Sequence, residues 1–290
     1  MLALSLCKHI FGACEDSRDT IGIFCDLSKA FDCVYHESLI VKPRHYGVTG
    51  RALDLLKSYL SNRVQRVDVN GMRSSGSIVH MGVPQESILG SFLFLIYIND
   101  LPSLVKDVHE ILLFADDTSL LFKVKRRQPT YENNAIWKVE KWLTTNNLLL
   151  NEMKTICIKF SFPNVRHGSR SISVRNKELE FVNSTVFLGI TLDNRLQWGP
   201  HISELAKRLN FAVYAVKKMR NLSDVETARL VYFGCFHSLM SYGILLWGNA
   251  VDIHRIFVLQ KRTVRAIYKL GPRTSLRNKF KEIEILTLAS

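Results

Sequence analysis

The stretch ILLFADDTSLLF, Ile111 to Phe122, places two adjacent carboxylates inside an otherwise apolar run. The apolar residues on either side predict two strands joined by a turn at Asp116 and Asp117. One interpretation is structural, since aspartate tolerates the backbone conformations of a tight turn. The other is functional, with the two carboxylates presented for chemistry at the tip of a buried hairpin.

A third carboxylate, Asp26, ends the apolar run TIGIFCDL (20–27), which predicts a buried strand. Its structural interpretation is a cap for a helix predicted to begin near Ser28. If this strand and the hairpin share one sheet, the three aspartates would repel one another unless a cation lay between them. Mg²⁺ prefers such oxygen ligands, and two ions can clamp an in-line phosphoryl displacement. Asp26, Asp116 and Asp117 therefore predict a site for two Mg²⁺ ions.

The residues around these runs predict a mixture of helices and strands, and therefore an α+β fold. Apolar periodicity predicts helices over 50–62 and 130–147, a strongly apolar run predicts a buried helix over 88–99, and Asn70-Gly71 predicts a hairpin turn. GVPQES (82–87) predicts a loop because Pro84 disfavours helix at the residue before it. TICIKFSF and STVFLGITL each predict a strand.

Beyond about residue 200 the pattern becomes helical. HISELAKRLNFAVYAVKKMR predicts one long helix, Ser223 and Glu226 predict a capping box, and RIFVLQKRTVRAIYKL predicts another helix. This change predicts two domains, 1–195 and 196–290.

Positive charge is concentrated in the second half of the chain. Residues 1–150 carry 17 Lys and Arg against 16 Asp and Glu, whereas residues 151–290 carry 22 against 10. Such a half suits a polyanion, most simply nucleic acid, because Lys and Arg neutralise phosphates. A basic, well-solvated surface with no partner is the alternative.

The six cysteines (7, 14, 25, 33, 157 and 235) form no C-x-x-C pair and no zinc-binding spacing. This pattern is typical of an intracellular protein with reduced thiols, in the nucleus or the cytoplasm. The longest strongly apolar run, Ile88 to Ile98, contains Gly90 and Ser91 and is too short to span a bilayer. We therefore expect no membrane association.

Five segments, in order and at similar separations, resemble successive motifs of the reverse transcriptases of non-LTR retrotransposons of the jockey/LINE type. They are GIFCDLSKAFDCVYH, GVPQESILGSFLFLIYINDL, LLFADDTSL, LNEMKT and FLGITLD, and they are followed by YGILLWG and LQKRTVRAIYKL. The resemblance implies a reverse-transcriptase palm, an antiparallel sheet with packed helices, with partial fingers over 1–195. It implies a basic helical thumb and C-terminal region over 196–290.

The activity implied by this resemblance is RNA-directed DNA synthesis at a primer 3′-hydroxyl. The implied partners are an RNA template, a DNA primer and deoxynucleoside triphosphates. Asp26 and Asp116 would be catalytic metal ligands, with Asp117 beside them at the turn. Lys154 matches a lysine that assists pyrophosphate departure, and an ordinary surface lysine is the alternative.

Three further positions match nucleotide-binding positions of the family. Phe31 matches the aromatic residue that floors the sugar pocket, or is an ordinary core residue. Gln85 matches the loop that touches the templating base and the incoming nucleotide, or is a solvated loop residue. Glu86 stands where the family has Gly, and Ser91 stands where it usually has Pro. Glu86 adds negative charge beside a site for a triphosphate, which predicts weak activity.

Two groups of residues are implied to bind the primer and template. Phe187, Leu188 and Gly189 resemble the primer grip, and a strand packed beneath the helical half is the alternative. Arg262, Arg265 and Lys269, spaced i, i+3 and i+7, would hold duplex phosphates or form only a solvated helix face.

Only 25 residues precede Asp26, so we expect the family's endonuclease and most of its fingers to be missing. The alternative function is a decayed retroelement remnant that lacks catalysis and binds nucleic acid at most.

Overall fold

The computed structural model describes residues 2–16, 18–104, 110–124, 131–161, 171–175 and 177–288. For residues 131 and 132 only the backbone is described. Its helices are α1 (Leu2–Glu15), α2 (His36–His45), α3 (Gly50–Leu60), α4 (Ile88–Ile98), α5 (Leu101–Leu104), α6 (Tyr131–Thr145), α7 (Gly199–Leu222), α8 (Val225–Val231), α9 (Ser238–Ser241), α10 (Ile244–Trp247), α11 (His254–Ile267) and α12 (Lys279–Glu282). Within these ranges no helix is both long and apolar enough to cross a bilayer.

The strands are β1 (Asp19–Cys25), β2 (Leu27–Ser28), β3 (Arg63–Gln65), β4 (Asp68–Val69), β5 (Met72–Arg73), β6 (Ser77–Val79), β7 (Glu110–Phe114), β8 (Asp117–Val124), β9 (Leu149–Leu150), β10 (Ile156–Phe160), β11 (Ser173–Val174), β12 (Lys177–Glu178), β13 (Glu180–Val182), β14 (Ser184–Phe187) and β15 (Ile190–Asp193). Short 3-10 helices span Ala30–Cys33 and Val251–Ile253, and a π-helical segment spans Tyr232–His237.

Packing divides the chain into two compact units. The first, which we call the sheet unit, contains residues 13–159 and 164–182. The second, which we call the helical unit, contains residues 1–12, 160–163 and 183–290.

The sheet unit is built on five strands in the order β13-β10-β1-β8-β7. β1 and β7 both pair antiparallel with β8, whereas β13 runs parallel to β10. Ile21 and Ile23 of β1 are fully buried, as is Leu120 of β8. Burying one such side chain contributes roughly 1.5–3 kcal/mol. The predicted α+β class is confirmed.

Three predicted helices of the sheet unit are confirmed, α3 and α6 from their apolar periodicity and α4 from its apolar run. α4 contributes Leu93 and Phe94 to the core, both with no exposed surface. α3 buries Leu53, Leu56 and Leu60, and α6 buries Ile136, Val139 and Leu143. The Asn70-Gly71 turn is also confirmed, since both residues have positive φ between β4 and β5.

The helical unit packs α11 along α7. α7 buries Ile202, Leu205, Leu209 and Val216 on one face, and α11 buries Ile256, Val264 and Ile267. Arg220 joins the two helices, because its Nε donates to the Ile267 carbonyl at 2.8 Å.

The helix predicted from Ser28 was wrong. Ser28 pairs with Leu149 in a short ladder, and Lys29 has a φ of 49° that a helix cannot include. A 3-10 turn follows, and α2 begins only at His36. Asp26 is therefore not a cap for a helix starting at Ser28.

Two further expectations for the second half need correction. STVFLGITL is a hairpin of β14 and β15, because Leu188 and Gly189 have positive φ and reverse the chain. The cap of α8 is Asp224, whose carboxylate accepts from the Thr227 N–H at 2.8 Å. Ser223 instead ends α7, so the Ser223–Glu226 capping box does not form.

Candidate active site

The aspartate pair lies at the tip of the β7–β8 hairpin. Phe114 pairs with Asp117, so the two turn residues are Ala115 and Asp116, and Asp117 begins β8. Ala115 has a φ of 51°, which costs a residue with a Cβ about 1 kcal/mol or more. Strain of this kind persists only where the surrounding structure fixes the backbone, and such residues cluster at functional sites.

Asp26 reaches the same edge of the sheet. It directly follows β1, whose last residue, Cys25, pairs with Thr118 beside the hairpin tip. The backbone of Asp26 is held on both sides by the LNEMKT segment. Its N–H donates to Thr155 Oγ1 at 3.3 Å, and its carbonyl accepts from the Asn151 N–H at 2.8 Å.

The three carboxylates share one electrostatic environment. Burial raises the pKa of the Asp117 carboxyl above its ordinary value, and the negative charges of Asp116 and Asp26 raise it further. Neighbouring like charges favour the neutral form of one member. A cation bound here would reverse that effect by favouring all three ionised forms.

The ligand chemistry fits a hard divalent cation. Carboxylate oxygens are the ligands that Mg²⁺ prefers, and Mg²⁺ usually takes one or two of them with water and substrate phosphates. Among the residues that the structure describes, no group of three or more His, Cys, Asp or Glu side chains is arranged to hold a metal ion. A cation at these aspartates would therefore need further ligands, such as water or substrate phosphates.

Lys154 lies beside Asp26. Its Nζ is 3.9 Å from Asp26 Oδ2, and 70% of its side chain is exposed. The ammonium group is therefore close to the Asp26 carboxylate and remains accessible to a substrate.

Phe31 and Gln85 are brought together by a backbone crossing. The Val83 N–H donates to the Phe31 carbonyl at 2.8 Å. Phe31 is half-buried, with its ring 4.6 Å from that of Phe94. Gln85 is exposed, and its Nε2 lies 3.5 Å from Asp32 Oδ1 in a cavity that both residues line. The half-buried ring of Phe31 and the accessible amide of Gln85 are compatible with the two predicted roles.

The loop after Gln85 is fastened to α4. Ser87 caps this helix by accepting from the Gly90 N–H at 3.0 Å, and its hydroxyl donates to the Pro84 carbonyl at 2.9 Å. Glu86, between these anchors, is exposed and has a φ of 57°. The family's glycine at this position therefore matches a left-handed conformation that glycine adopts without strain.

The segment Phe187–Gly189, predicted from the resemblance to be a primer grip, forms the tip of the β14–β15 hairpin in the helical unit. Phe187 is buried, Leu188 is half-buried and Gly189 is exposed. Any contact with a primer would therefore come from the Leu188–Gly189 turn, with Phe187 anchoring it in the core.

The predicted basic row is only partly helical. Arg262 and Arg265 lie on α11, whereas Lys269 lies past its end with a φ of 51°. All three nevertheless line one groove between α7 and α11, which we call the basic groove. Arg265 is partly engaged, since its Nη2 donates to the Thr274 carbonyl at 3.0 Å.

Two groove residues on α7 were missed from the sequence. Lys217 and Tyr214 face α11 across the basic groove. The sequence signal was a basic residue and an aromatic residue one turn apart on the predicted helix. Their position beside Arg262 depends on the packing of α7 against α11.

Comparison with protein families gives a match over residues 5–192 to "Reverse transcriptase (RNA-dependent DNA polymerase)". The chain is 32% identical over 286 residues to "Probable RNA-directed DNA polymerase from transposon BS" of Drosophila melanogaster, covering 90% of this chain and 30% of that protein. It is 28% identical over 268 residues to "RNA-directed DNA polymerase from mobile element jockey" of the same fly, covering 88% and 29%. The chain thus spans about three tenths of the length of these curated relatives.

Among solved structures, a telomerase from Candida Tropicalis in complex with a telomeric RNA fragment superposes with a TM-score of 0.46 and 11% identity, covering 91% of this chain and 47% of that one.

The family match extends over most of the chain and includes the three aspartates, the Phe31 segment and the Gln85 loop. The chain therefore belongs to the reverse transcriptase (RNA-dependent DNA polymerase) family, in the group of non-LTR retrotransposon polymerases that includes jockey and BS.

Proposed function

We propose that this chain extends a DNA primer on an RNA template, with residues 1–195 acting as palm and partial fingers and residues 196–290 as thumb. Its site of action would be intracellular, in the nucleus or the cytoplasm. The observation that carries the proposal is the convergence of Asp26 with the Asp116–Asp117 hairpin tip at one edge of the sheet. Burial raises the pKa of Asp117, and the charges of Asp116 and then Asp26 raise it further.

Asp26, Asp116 and Asp117 would hold two Mg²⁺ ions. When bound, such a pair lowers the pKa of an attacking hydroxyl and stabilises the leaving oxygen in phosphoryl transfer. The carboxylate chemistry of these residues supports this role, because Mg²⁺ usually takes one or two protein carboxylates and triphosphate oxygens could supply further ligands.

The surrounding residues would position the nucleotide and neutralise its charge. Phe31 would support the sugar, and the Gln85 amide would contact the base pair being formed. The ammonium group of Lys154 lies 3.9 Å from Asp26 Oδ2. It would protonate the departing pyrophosphate or neutralise part of its negative charge. The exposure of Lys154 supports this role because the leaving group must reach it.

The helical unit would bind the duplex. The basic groove presents Lys217, Arg262 and Lys269 to the phosphates, which fixes position without reading sequence. The Leu188–Gly189 turn would contact the primer near its 3′ end.

Primer extension with matched aspartate variants tests this proposal. Asp26→Asn and Asp116→Asn should each lower extension at least about 100-fold, because electrostatic stabilisation of the transition state is the largest contribution in such reactions. Affinity for an RNA–DNA duplex should remain within about twofold of wild type, since phosphate contacts lie elsewhere.

The control is Asp54→Asn, which neutralises an exposed aspartate paired with Lys57 on α3 of the sheet unit. This variant should extend the primer normally. Normal extension by either Asp26→Asn or Asp116→Asn would refute the metal assignment. Absence of extension by the wild-type chain with Mg²⁺ would favour the remnant interpretation.

A further inference from the structure

The Leu188–Gly189 turn needs support from outside its own hairpin. Leu188 has a φ of 47° and Gly189 a φ of 77°, so both lie in the left-handed region. Two-residue hairpin turns of this type favour Asn or Gly at both positions, and leucine is a poor choice at the first. The turn is also accessible to solvent at Gly189. An accessible, strained turn holds one conformation only if its neighbours fix it.

Tyr242 supplies a direct contact to this turn. Its hydroxyl donates to the Leu188 carbonyl oxygen at 2.6 Å. Its ring lies alongside Gly189, since a Cβ added to that glycine would be 3.6 Å from Tyr242 Cε1. Tyr242 is 48% exposed, so burial alone does not explain its position.

The segment YGILLWG holds Tyr242 in place. The fully buried Trp247 donates from Nε1 to the Tyr242 carbonyl at 3.0 Å. Gly243 has a φ of 67°, and a Cβ there would lie 2.5 Å from Cδ1 of Ile190, the first residue of β15. The backbone conformation at 243 therefore favours glycine, and a larger residue would also require the end of the Ile190 side chain to shift.

A second contact fixes the same hairpin. The Thr191 N–H donates to His201 Nδ1 at 3.3 Å, and the His201 ring packs 5.7 Å from that of Trp247. Trp247 thus contacts both residues that hold the hairpin, Tyr242 through its carbonyl and His201 through its ring.

We infer that Tyr242 is a positioning residue that fixes the Leu188–Gly189 turn for contact with the end of a primer strand. The inference rests on the proposed function, which assigns this turn to the primer. The hydroxyl determines where the Leu188 carbonyl points, and the adjacent Gly189 gives a strand room to approach. Loss of this hydrogen bond would let the turn relax and would misplace the primer end for the reaction.

Tyr242→Phe tests this inference because it removes the hydroxyl and keeps the ring. Tyr268→Phe is the matched control. Tyr268 is half-buried in the same unit, and its hydroxyl accepts from Arg229 Nη1 at 2.6 Å rather than bonding the hairpin turn. Three quantities are measured for each protein: amide exchange over residues 184–193, affinity for a 3′-recessed RNA–DNA duplex, and the single-turnover extension rate of the bound duplex.

Tyr242→Phe should speed exchange at the turn and lower the extension rate roughly 3- to 10-fold, the equivalent of one hydrogen bond. Its duplex affinity should change less than about twofold, because the phosphate contacts are unaltered. Tyr268→Phe should match wild type in all three measurements.

Unchanged exchange in Tyr242→Phe would overturn the inference, and so would faster exchange with a wild-type extension rate. Either result leaves the proposed function intact, because the wild-type chain still extends and Asp26→Asn still does not. Absence of extension by the wild type overturns the proposed function and this inference together.

Discussion

Glu86 combines two unfavourable features at one residue. Its φ of 57° costs a non-glycine residue about 1 kcal/mol or more. Its carboxylate also adds negative charge to the Gln85 loop, beside the site proposed for a triphosphate. The Glu86 side chain is exposed, so its repulsion of a bound triphosphate would be close to the value in water. In water, two like charges about 4 Å apart repel each other by about 1 kcal/mol.

We predict that Glu86→Gly lowers the nucleotide KM about fivefold and raises stability by about 1 kcal/mol. Glu86→Gln is the informative control, because it removes the charge and keeps the left-handed strain. It should lower KM similarly without the gain in stability. Steady-state extension and thermal unfolding measure the two effects separately. Equal KM values for the Glu, Gln and Gly proteins would show that the charge is tolerated.

The basic groove is a property of two packed elements. α11 supplies Arg262, α7 supplies Lys217, and the chain after α11 supplies Lys269. Arg265 is a weaker candidate, because its guanidinium also bonds the Thr274 carbonyl. A groove lined from both sides can follow a phosphate backbone better than a single helix face can.

We predict that replacing Lys217, Arg262 and Lys269 together by Glu weakens duplex binding. The slope of log affinity against log salt should become shallower by about 0.9 for each phosphate of a B-form duplex that the protein no longer neutralises. Replacing Lys207, Arg277 and Lys281 by Glu changes net charge equally outside the groove, on exposed positions of the same unit. If both triple variants alter the slope equally, the groove is only a solvated basic surface.

At the scale of the whole molecule, the aspartate site should link folding stability to metal and pH. The pKa of Asp117 is raised in the folded protein, chiefly by burial and then by Asp116 and Asp26. Folding therefore favours the protonated form, and this contribution to stability is lost as pH rises from the unfolded pKa through the folded pKa. Near neutral pH the metal-free protein retains the carboxylate repulsion, and a bound cation would remove it.

We predict that saturating Mg²⁺ raises the thermal midpoint near neutral pH by roughly 5 °C, as expected for a ligand at about 100 times its Kd. Asp26→Asn and Asp116→Asn should lose most of this increase. Metal-free Asp117→Asn should unfold at a higher temperature than metal-free wild type, because the repulsion is gone. Sodium chloride of equal ionic strength is the control, and an equal increase with it would contradict specific binding.

The sequence by itself determined most of the local elements and the candidate catalytic residues. Apolar periodicity located α3, α6 and α7, because each buries one face against a core, and a strongly apolar run located α4. Asn70-Gly71 identified its turn, because both residues adopt positive φ readily. The strand ending at Asp26 and the hairpin around Asp116 were also readable, because apolar runs interrupted by carboxylates are rare without a reason.

Tertiary structure alone decided what depends on residues distant in sequence. Ser28 reads as a helix start, but pairing with Leu149 places it in a strand. The capping of α8 was instead a local misreading, since Ser223 closes α7 and the adjacent Asp224 caps α8. The contacts of Tyr242 with Leu188 and of Lys217 with the basic groove follow from packing. Local propensity carries no information about such contacts, because each partner's position is set by how separate elements bury their apolar faces.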